Sequence, residues 1–469
     1  MAKLKHDDIV IPDDNPFANC KLNRQPYAEV LTDIVSNYSD GFVMAINNEW
    51  GTGKTTFAKM WQQYLKNQGF QTLYFNAWEN DFEDDVLVAL LSELKELTKD
   101  QTDKVFKEVV KRAAPLAKKL LPSIAKALAK RYVGDEFVQE IIEGVTEVSA
   151  EGLEAELKSY ANRKDNIQLF KESLEKFVKQ TDPNKPVVFI LDELDRCRPN
   201  YAVRVLEQIK HLFSVQGIVF ILSIDKVQLG HAVRGVYGSD QIDADEYLRR
   251  FIDIEYTIPA PNQKNYSEYL FDYYDFASFF KVHERNQYNT DISEYRAFID
   301  FSIYLFQVHN IGLRGQNKLM AKARLVMRSF EDCYSFPQVI LILLFARQYK
   351  SQLYMDIVSR RITQANLVDK LENEILLKIT DNILNTSMLF GEALFFYIWT
   401  SGSIGKHHQH ALYRVVDEKV EFFFEIDKKS NRQEAIKDVL ISLPSKRAFM
   451  PIYLESIVKK IELIDAIEQ

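Results

Sequence analysis

A glycine-containing segment near the N-terminus, NNEWGTGKTT at 47–56, has the residue types that bind phosphate. Gly51 and Gly53 let the backbone approach an oxyanion closely, and the N–H groups of such a loop and of the helix after it attract negative charge. Lys54 would reach the β- and γ-phosphates of a nucleotide, and the hydroxyl of Thr55 would hold Mg²⁺. We therefore expect a nucleoside triphosphate here, with the candidate binding residues Asn48, Glu49, Trp50, Gly51, Thr52, Gly53, Lys54, Thr55 and Thr56.

Position 48 departs from the full phosphate-binding pattern, G-x-x-x-x-G-K-[ST], which has glycine there. Asparagine tolerates a left-handed backbone better than most other residues, so we expect Asn48 to substitute for glycine in that conformation. The competing interpretation is a glycine-containing turn that precedes a lysine by chance. The apolar run at 41–46 and the helical pattern from Lys54 onward favour the phosphate loop, because such loops join a strand to a helix.

A second segment, PVVFILDELDRC at 186–197, ends a β-branched and aromatic run in two carboxylates. Carboxylates at the carboxyl end of a strand lie where open α/β sheets bind ligands. Asp192 would hold Mg²⁺ through water, and Glu193 is the candidate base that orients an attacking water. By itself this pattern also fits a strand that meets a solvated turn. Arg196, next to Asp195, is predicted to form a structural ion pair.

Longer strings resemble one family, the KAP family of P-loop NTPases. The strings are FNAWEND (75–81), LDELDRCRPNYAVRVLEQIKHLF (191–213), GIVFILSIDKVQLGHAV (217–233) and DEYLRRFIDIEYTIPAP (245–261). The segment LNRQPYAEVLTDIV (22–35) is similar to that family's N-terminal helix, near the base of the nucleotide, and the form W-G-x-G-K-T is typical of its phosphate loop. The resemblance covers roughly residues 15–350.

The resemblance implies an α/β fold. We expect a P-loop NTPase core with a five-stranded parallel sheet, a helical insert and a mainly α-helical C-terminal region. The strand before the glycines would be central, and the acidic strand would lie two places away. Apolar runs predict the strands at 42–46, 70–75, 187–191, 218–223 and 252–257, and helical patterns separate most of them, as βαβ units require.

The resemblance also implies further catalytic candidates. Ser223 or Asp225 would be the polar group that senses the γ-phosphate, although Asp225 fits a helix N-cap equally well. Arg249 and Arg250 lie where related ATPases carry an arginine finger that enters a neighbour's site, and solvated residues at a helix end are the alternative. Arg314 is similar to a lid arginine that contacts phosphate in cis, or it belongs to a basic solvated face.

Composition sets broad limits on these interpretations. With 469 residues the chain predicts two or three domains, and its net charge of −8 argues against broad electrostatic capture of nucleic acid. The cysteines Cys20, Cys197 and Cys333 lie far apart, which suits a reducing cytosol. Neither an N-terminal signal nor an apolar run of 18 residues is found, so we expect a cytoplasmic protein without a transmembrane segment.

The predicted domains are an NTPase core at 1–98 and 166–262, an amphipathic helical insert at 99–165, a helical lid at 263–350 and a helical domain of unknown role at 351–469. In the insert, a basic stretch at 104–131 precedes an acidic stretch at 135–156. We favour a charge-complementary hairpin over a basic helix on a membrane or on nucleic acid, because the acidic arm would repel a polyanion. Pro115 and Pro122 should kink or divide the basic stretch.

The C-terminal region offers weaker signals. The aromatics of 265–280 have helical spacing and are expected to pack in a core. The tract HHQH at 407–410 is interpreted as a loop, because no other cluster of metal ligands lies near it in the sequence. Residues 412–426 could form a strand pair or a helix.

The predicted function is ATP binding and hydrolysis with Mg²⁺, used as a conformational switch that regulates or assembles a partner protein. Bacterial members of the family suggest anti-phage defence by analogy. A finger that acts in trans would require a homo-oligomer. The alternatives are a nucleotide-binding scaffold without hydrolysis and a nucleic-acid-associated motor.

Overall fold

The structure, a computed structural model, describes residues 9–38, 41–82, 86–117, 153–260, 262–280, 294–330, 336–377, 382–400, 413–416, 419–422, 436 and 454–468. These residues form two compact units. The first unit is Ile9–Ala260, and the second comprises the described residues from 262 onward.

The first unit is built on a parallel sheet of five strands, as predicted. The strand order is β2-β3-β4-β1-β5. The acidic strand β3 is two places from β1, as expected, but the middle position belongs to β4 rather than to β1. The strands are β1 (Val43–Asn47), β2 (Thr72–Asn76), β3 (Val187–Asp192), β4 (Ile218–Ile224) and β5 (Ile254–Tyr256).

Helices cover both faces of this sheet, because successive side chains of each strand point to opposite faces and both sets are apolar. In β3, Val188 and Ile190 pack with helices α1 (Gln25–Asn37) and α2 (Lys54–Asn67). Phe189 of the same strand packs on the other face. The helices of that face are α3 (Val86–Leu94), α4 (Asp103–Ala117), α5 (Leu153–Thr181), α6 (Pro199–Gln208) and α7 (Lys226–Tyr237). The short helix α8 (Ala244–Leu248) precedes β5.

The predicted insert begins and ends in helices that belong to this core. Phe106 of α4 and Phe177 of α5 meet with ring centroids 5.4 Å apart. Helix α4 continues past Pro115 to Ala117, so this proline lies inside the helix and does not end it. Residues 118–152, with Pro122 and most of the acidic stretch, lie outside the described residues, and the charge-complementary hairpin stays a prediction.

The second unit is mainly helical, as predicted. The aromatics Tyr266, Phe276 and Phe280 are buried in it, in agreement with a packing role. For residues 412–426, where the sequence allowed a strand pair or a helix, the structure shows a strand pair at 413–422. Strands β6 (Tyr413–Val416) and β7 (Lys419–Phe422) are antiparallel. The helices are α9 (Gln263–Tyr273), α10 (Phe276–Phe280), α11 (Glu294–Val308), α12 (Leu313–Arg328), α13 (Pro337–Tyr349), α14 (Ser351–Val358), α15 (Gln364–Glu374), α16 (Asn382–Thr400) and α17 (Leu454–Glu468).

None of the helices in the described part of the chain has the length and apolar character needed to cross a bilayer.

A carboxyl group on α3 predicts a pH-dependent stability. Burial raises the pKa of Glu93 to about 7, and the charge of Glu96 adds to the effect. The folded state therefore binds a proton that the unfolded state releases, and the free energy of unfolding should fall as pH rises from about 4.5 to 7. Glu93→Gln should be more stable than the wild type by about 1 kcal/mol at pH 8 and gain nothing at pH 4.

Urea denaturation at the two pH values measures this difference. Glu172→Gln, on the exposed side of α5, is the control and should change stability little at either pH. A Glu93→Gln protein whose advantage is the same at pH 4 and pH 8 would contradict the assignment.

Candidate nucleotide-binding site

The strand register brings the two candidate segments to one edge of the sheet. Ser223 of β4 pairs with Ile46 of β1 on one side and with Asp192 of β3 on the other. The glycine loop (residues 48–53) follows β1 directly, and Glu193 follows Asp192. Since neighbouring strands lie about 4.8 Å apart, the loop and the acidic strand end are within reach of one ligand.

The glycine loop has the conformation that an anion site requires. Gly51 and Gly53 have φ angles of +82° and +84°, which side chains rarely tolerate. Gly53 is the N-cap of α2, and Lys54, Thr55 and Thr56 form the first turn of that helix. Because the first N–H groups of a helix have no partner within the helix, the loop and the first turn of α2 can donate to phosphate oxygens.

Lys54 is the buried cation of this site. Its side chain is only 8% exposed, and its Nζ donates to the carbonyl oxygens of Asn48 and, at 3.1 Å, Glu49. Burial lowers the pKa of Lys54, whereas the negative charges of Asp195, Asp225 and Asp192 oppose that effect. One ammonium therefore lies within electrostatic reach of three carboxylates from two strand ends.

Arg24 supports the glycine loop from within the protein, a role that the sequence pattern did not reveal. It is 3% exposed, and its guanidinium donates to the carbonyl oxygens of Thr52 at 2.7 Å and Gly53 at 3.4 Å. Burial lowers the pKa of Arg24. Arg24 thereby binds two of the loop's carbonyl oxygens, which would otherwise repel the oxygens of a phosphate. In the sequence, the only indication of this role was that Arg24 comes directly before α1, the helix that the family resemblance had identified.

Asn48 holds its position for a different reason from the one expected. Its φ angle is not positive, so a left-handed backbone does not explain the asparagine. Instead its side-chain Nδ2 donates to the carbonyl oxygen of Ile258 at 2.8 Å, and the N–H of Ile258 donates to Oδ1 at 3.0 Å. A glycine could make neither hydrogen bond.

Asp192 is a buried carboxylate held in a fixed orientation. It is 1% exposed, and its Oδ2 accepts a 2.7 Å hydrogen bond from the Tyr74 hydroxyl. The N–H of Glu193 donates to Oδ1 at 3.0 Å. Burial and the adjacent carboxylate of Asp192 raise the pKa of Tyr74, which keeps the phenol protonated as a donor. Tyr74 was not predicted, because its role depends on the pairing of β2 with β3.

Both oxygens of the Glu193 carboxylate have partners. Arg196 contacts Oε1 at 2.7 Å, and the side-chain amide of Asn76 donates to Oε2 at 3.3 Å. Arg196 therefore does form an ion pair, as predicted, and its partner is Glu193. Glu193 also has a φ angle of +62°, a strained backbone for a residue with a side chain. The guanidinium of Arg196 lies 5.8 Å from the ring centroid of the half-exposed Trp78.

Trp50 joins the glycine loop to the turn after β3. Its indole N–H donates to the carboxylate of Asp195, which is 8% exposed. Burial raises the pKa of Asp195, and the hydrogen bond from Trp50 opposes the rise.

The two sensor candidates differ in their bonding. The Asp225 carboxylate accepts hydrogen bonds from the N–H groups of Val227 and Gln228, both at 3.2 Å, so the N-cap interpretation holds for this residue. Ser223 is fully buried, and its hydroxyl has no hydrogen-bond partner among the described residues. An unpaired buried hydroxyl between the loop strand and the acidic strand fits a ligand that supplies the missing partner.

The arginine candidates do not take part in the contacts described so far. Arg249 is exposed at the end of α8 and forms an ion pair with Glu246 at 3.1 Å. Arg250, the next residue, is also exposed. Arg314 is exposed in the first turn of α12, in the second unit.

The residues present fit a magnesium–nucleotide complex better than a metal held by protein alone. Among the described residues, no group of three or more His, Cys, Asp or Glu side chains could hold a metal ion. Mg²⁺ in nucleotide sites takes one or two protein ligands and completes its shell with water and phosphate, which Thr55 and Asp192 could support. The HHQH tract at 407–410 lies outside the described residues.

Comparison with known proteins identifies the family of the chain. A family model described as KAP family P-loop domain matches residues 24–329, more than half of the chain. No curated protein sequence matches. Among solved structures, the chain is similar to the Aeropyrum pernix ORC2 protein, whose structure was solved as ADPNP–ADP complexes. The identity is 14%, the TM-score is 0.34, and the match covers 92% of this chain and 96% of the other. A likeness of that size says nothing about function.

The hydrogen bond from Tyr74 to Asp192 gives a test of the site's construction. Tyr74→Phe removes the donor and leaves Oδ2 of a buried carboxylate unpaired, which should lower the free energy of unfolding by about 1–2 kcal/mol without nucleotide or Mg²⁺. Denaturant titration measures the change. Tyr38→Phe, at a tyrosine that is 62% exposed, is the control and should lie within about 0.5 kcal/mol of the wild type. Equal stabilities of the two variants would contradict the contact.

Proposed function

Since the chain belongs to the KAP family of P-loop NTPases, we propose that it is an ATPase that binds ATP and Mg²⁺ at the glycine loop and hydrolyses the triphosphate. The observation that carries this proposal is the strand register, which brings the loop after β1, the end of β4 and Asp192 of β3 to one edge of the sheet, beside the buried Lys54 and two left-handed glycines. A buried ammonium near carboxylates, next to a loop whose N–H groups can donate, suits a ligand that brings both phosphate and a cation.

The proposed division of labour follows from the chemistry of each group. The loop N–H groups of residues 49–53, together with Lys54 and Thr56, bind phosphate oxygens. Thr55 and Asp192 hold Mg²⁺, which when bound would neutralise charge on the phosphates. Glu193 orients the attacking water, and Ser223 senses the γ-phosphate through its unpaired hydroxyl. We do not assign the sensor role to Asp225, because its carboxylate already caps α7. It contributes negative charge near Lys54.

Glu193 has a partner at each carboxylate oxygen, and each oxygen keeps a second lone pair that could accept from water. Arg196 and Asn76 occupy its two carboxylate oxygens in this structure. The Arg196 ion pair is largely shielded from water, with 25% and 13% of the two side chains exposed, so these bonds hold the carboxylate in a fixed orientation. The geometry therefore suits a base that is already held in place and a phosphate loop that is already formed.

The candidate arginines are proposed to enter the nucleotide site only when a neighbouring copy or the lid approaches it. Arg249 or Arg250 would act as a finger in the site of a neighbouring copy, which makes the working form a homo-oligomer. Exposure of both side chains supports this role, since a finger must be free to leave its own surface. Arg314 would contact phosphate from the lid.

The proposed output is a conformational switch. Residues 1–98 and 166–262 would act as the core, 99–165 as a helical insert, 263–350 as the lid and 351–469 as a helical domain of unknown role, and the switch would regulate or assemble a partner protein. Cytoplasmic anti-phage defence is the setting that family analogy suggests. Division of the chain into two units near residue 260 supports a switch, because separate units can change their association.

Removal of the Lys54 ammonium should abolish nucleotide binding. Lys54→Ala deletes the buried cation and should weaken the affinity for Mg-ATP by about a hundredfold or more. Isothermal titration calorimetry measures the affinity, and Lys66→Ala, an exposed lysine at the end of the same helix, is the matched control with expected wild-type binding. Wild-type affinity in Lys54→Ala would rule out the phosphate site.

Glu193→Gln should separate binding from turnover. The amide cannot accept a proton from water, so we expect the rate of phosphate release to fall by about 10²–10³-fold with little change in ATP affinity. A phosphate-release assay together with a binding titration measures both. Glu79→Gln, at an exposed carboxylate shortly after the neighbouring strand β2, is the control. Unchanged turnover in Glu193→Gln would remove the base assignment and leave the binding site in place.

A further inference from the structure

The Trp50 side chain bridges two strand ends that the sheet does not pair. Strand β4 lies between β1 and β3, so the glycine loop and the turn after β3 leave the sheet about 10 Å apart. Backbone hydrogen bonds of a sheet join neighbouring strands only and cannot fix this separation directly. The indole N–H of Trp50 donates to the carboxylate of Asp195 and so ties the loop to the turn.

The turn that accepts this bond is closed by contacts of its own. In this turn, the acidic turn (residues 193–197), the N–H of Arg196 donates to the carbonyl oxygen of Glu193 at 3.1 Å. The guanidinium of Arg196 also contacts Glu193 Oε1 at 2.7 Å. A bond that holds Asp195 in place therefore also holds Glu193, two residues earlier, at a set distance from the glycine loop.

The two ends of the bond differ in exposure. Asp195 is 8% exposed, whereas Trp50 is 48% exposed. A buried carboxylate needs a partner, and the half-exposed indole supplies one without being part of the core. Among the carboxylates that act on Lys54, Asp195 has the largest effect. Asp195 could thus matter as a hydrogen-bond acceptor or as a counter-charge, and substitutions can separate these two roles.

We propose that Trp50 and Asp195 are positioning residues that set the distance between the phosphate loop and Glu193. This inference rests on the proposed hydrolysis, in which the loop holds the phosphates and Glu193 orients the attacking water. A misplacement of about 1 Å between reacting groups can cost about a hundredfold in rate. Because the bond aligns the triphosphate with the base, its loss lowers turnover and leaves affinity nearly unchanged.

Trp50→Phe tests the alignment, because it removes the indole N–H and keeps an aromatic ring and every backbone N–H of the loop. We expect kcat for phosphate release to fall by about tenfold or more, with the Kd for Mg-ATP from calorimetry within about twofold of the wild type. Trp78→Phe is the matched control, since Trp78 is 54% exposed and phenylalanine keeps a ring beside Arg196. Its kcat should stay within about twofold of the wild type.

Two substitutions of Asp195 separate the hydrogen bond from the charge. Asp195→Asn keeps an oxygen that can accept from the indole, whereas Asp195→Ala removes both acceptor and charge. Asp195→Asn should retain kcat within about threefold of the wild type, and Asp195→Ala should lose about tenfold. Adding Trp50→Phe to Asp195→Ala should change kcat by less than about twofold, because the bond is already absent. Melting temperatures show whether each variant is folded.

The indole N–H also reports on the bond by nuclear magnetic resonance. The chain has four tryptophans, so protein with isotope-labelled tryptophan gives four indole signals, and the one that Trp50→Phe removes belongs to Trp50. A hydrogen bond to a carboxylate moves such a proton downfield and slows its exchange with water. The Trp50 signal should therefore move upfield in Asp195→Ala, and by less in Asp195→Asn.

The outcomes distinguish this inference from the proposed function. A flat titration of the wild type with Mg-ATP would overturn both, whereas wild-type kcat in Trp50→Phe would overturn the positioning role alone. Equal losses in Trp50→Phe and Trp78→Phe would show that any indole near the site has this effect. An Asp195→Asn protein as slow as Asp195→Ala would assign the effect to charge, and an indole signal unmoved in Asp195→Ala would remove the contact.

Discussion

The buried positive charge of Lys54 is the constraint on which the rest of the site depends. An ammonium that is 8% exposed must be compensated, and the structure does so with two loop carbonyls and the field of three carboxylates. Those groups come from the end of β3 and the turn after it, from the end of β4 and from the glycine loop. They can meet only because parallel pairing puts the carboxyl ends of β1, β4 and β3 side by side. The compensation of the Lys54 charge therefore depends directly on the strand order of the sheet.

Much of this arrangement could be predicted from local patterns. The five parallel strands, the two-place separation of the loop strand from the acidic strand, and the helix after Gly53 follow from apolar runs, glycine spacing and family strings. The middle position of β4 does not. The contacts that orient the site could not be predicted, because each joins residues that are far apart in the sequence and meet only in the folded chain. Tyr74 with Asp192, Asn76 with Glu193 and Arg24 with the loop carbonyls are of this kind.

At two positions the sequence pointed to a residue that does take part in the site's structure, but the structure gives that residue a different role from the one expected. Asn48 was expected to tolerate a left-handed backbone, and it instead uses its amide to bond the backbone of Ile258. Asp225 fits both a sensor and a helix cap from sequence, and its carboxylate is committed to the cap. In both cases the side chain satisfies backbone groups that would otherwise be unpaired, a demand that sequence spacing does not display.

The bond between Asn48 and Ile258 has a consequence for how this chain can change by mutation. The Asn48 side chain bonds only the main-chain atoms of residue 258. Position 258 can therefore be substituted by another apolar residue of similar volume without loss of these hydrogen bonds. Selection for the contact would act on position 48 alone. Searches for correlated substitutions between two sites would therefore overlook this link, however strong it is.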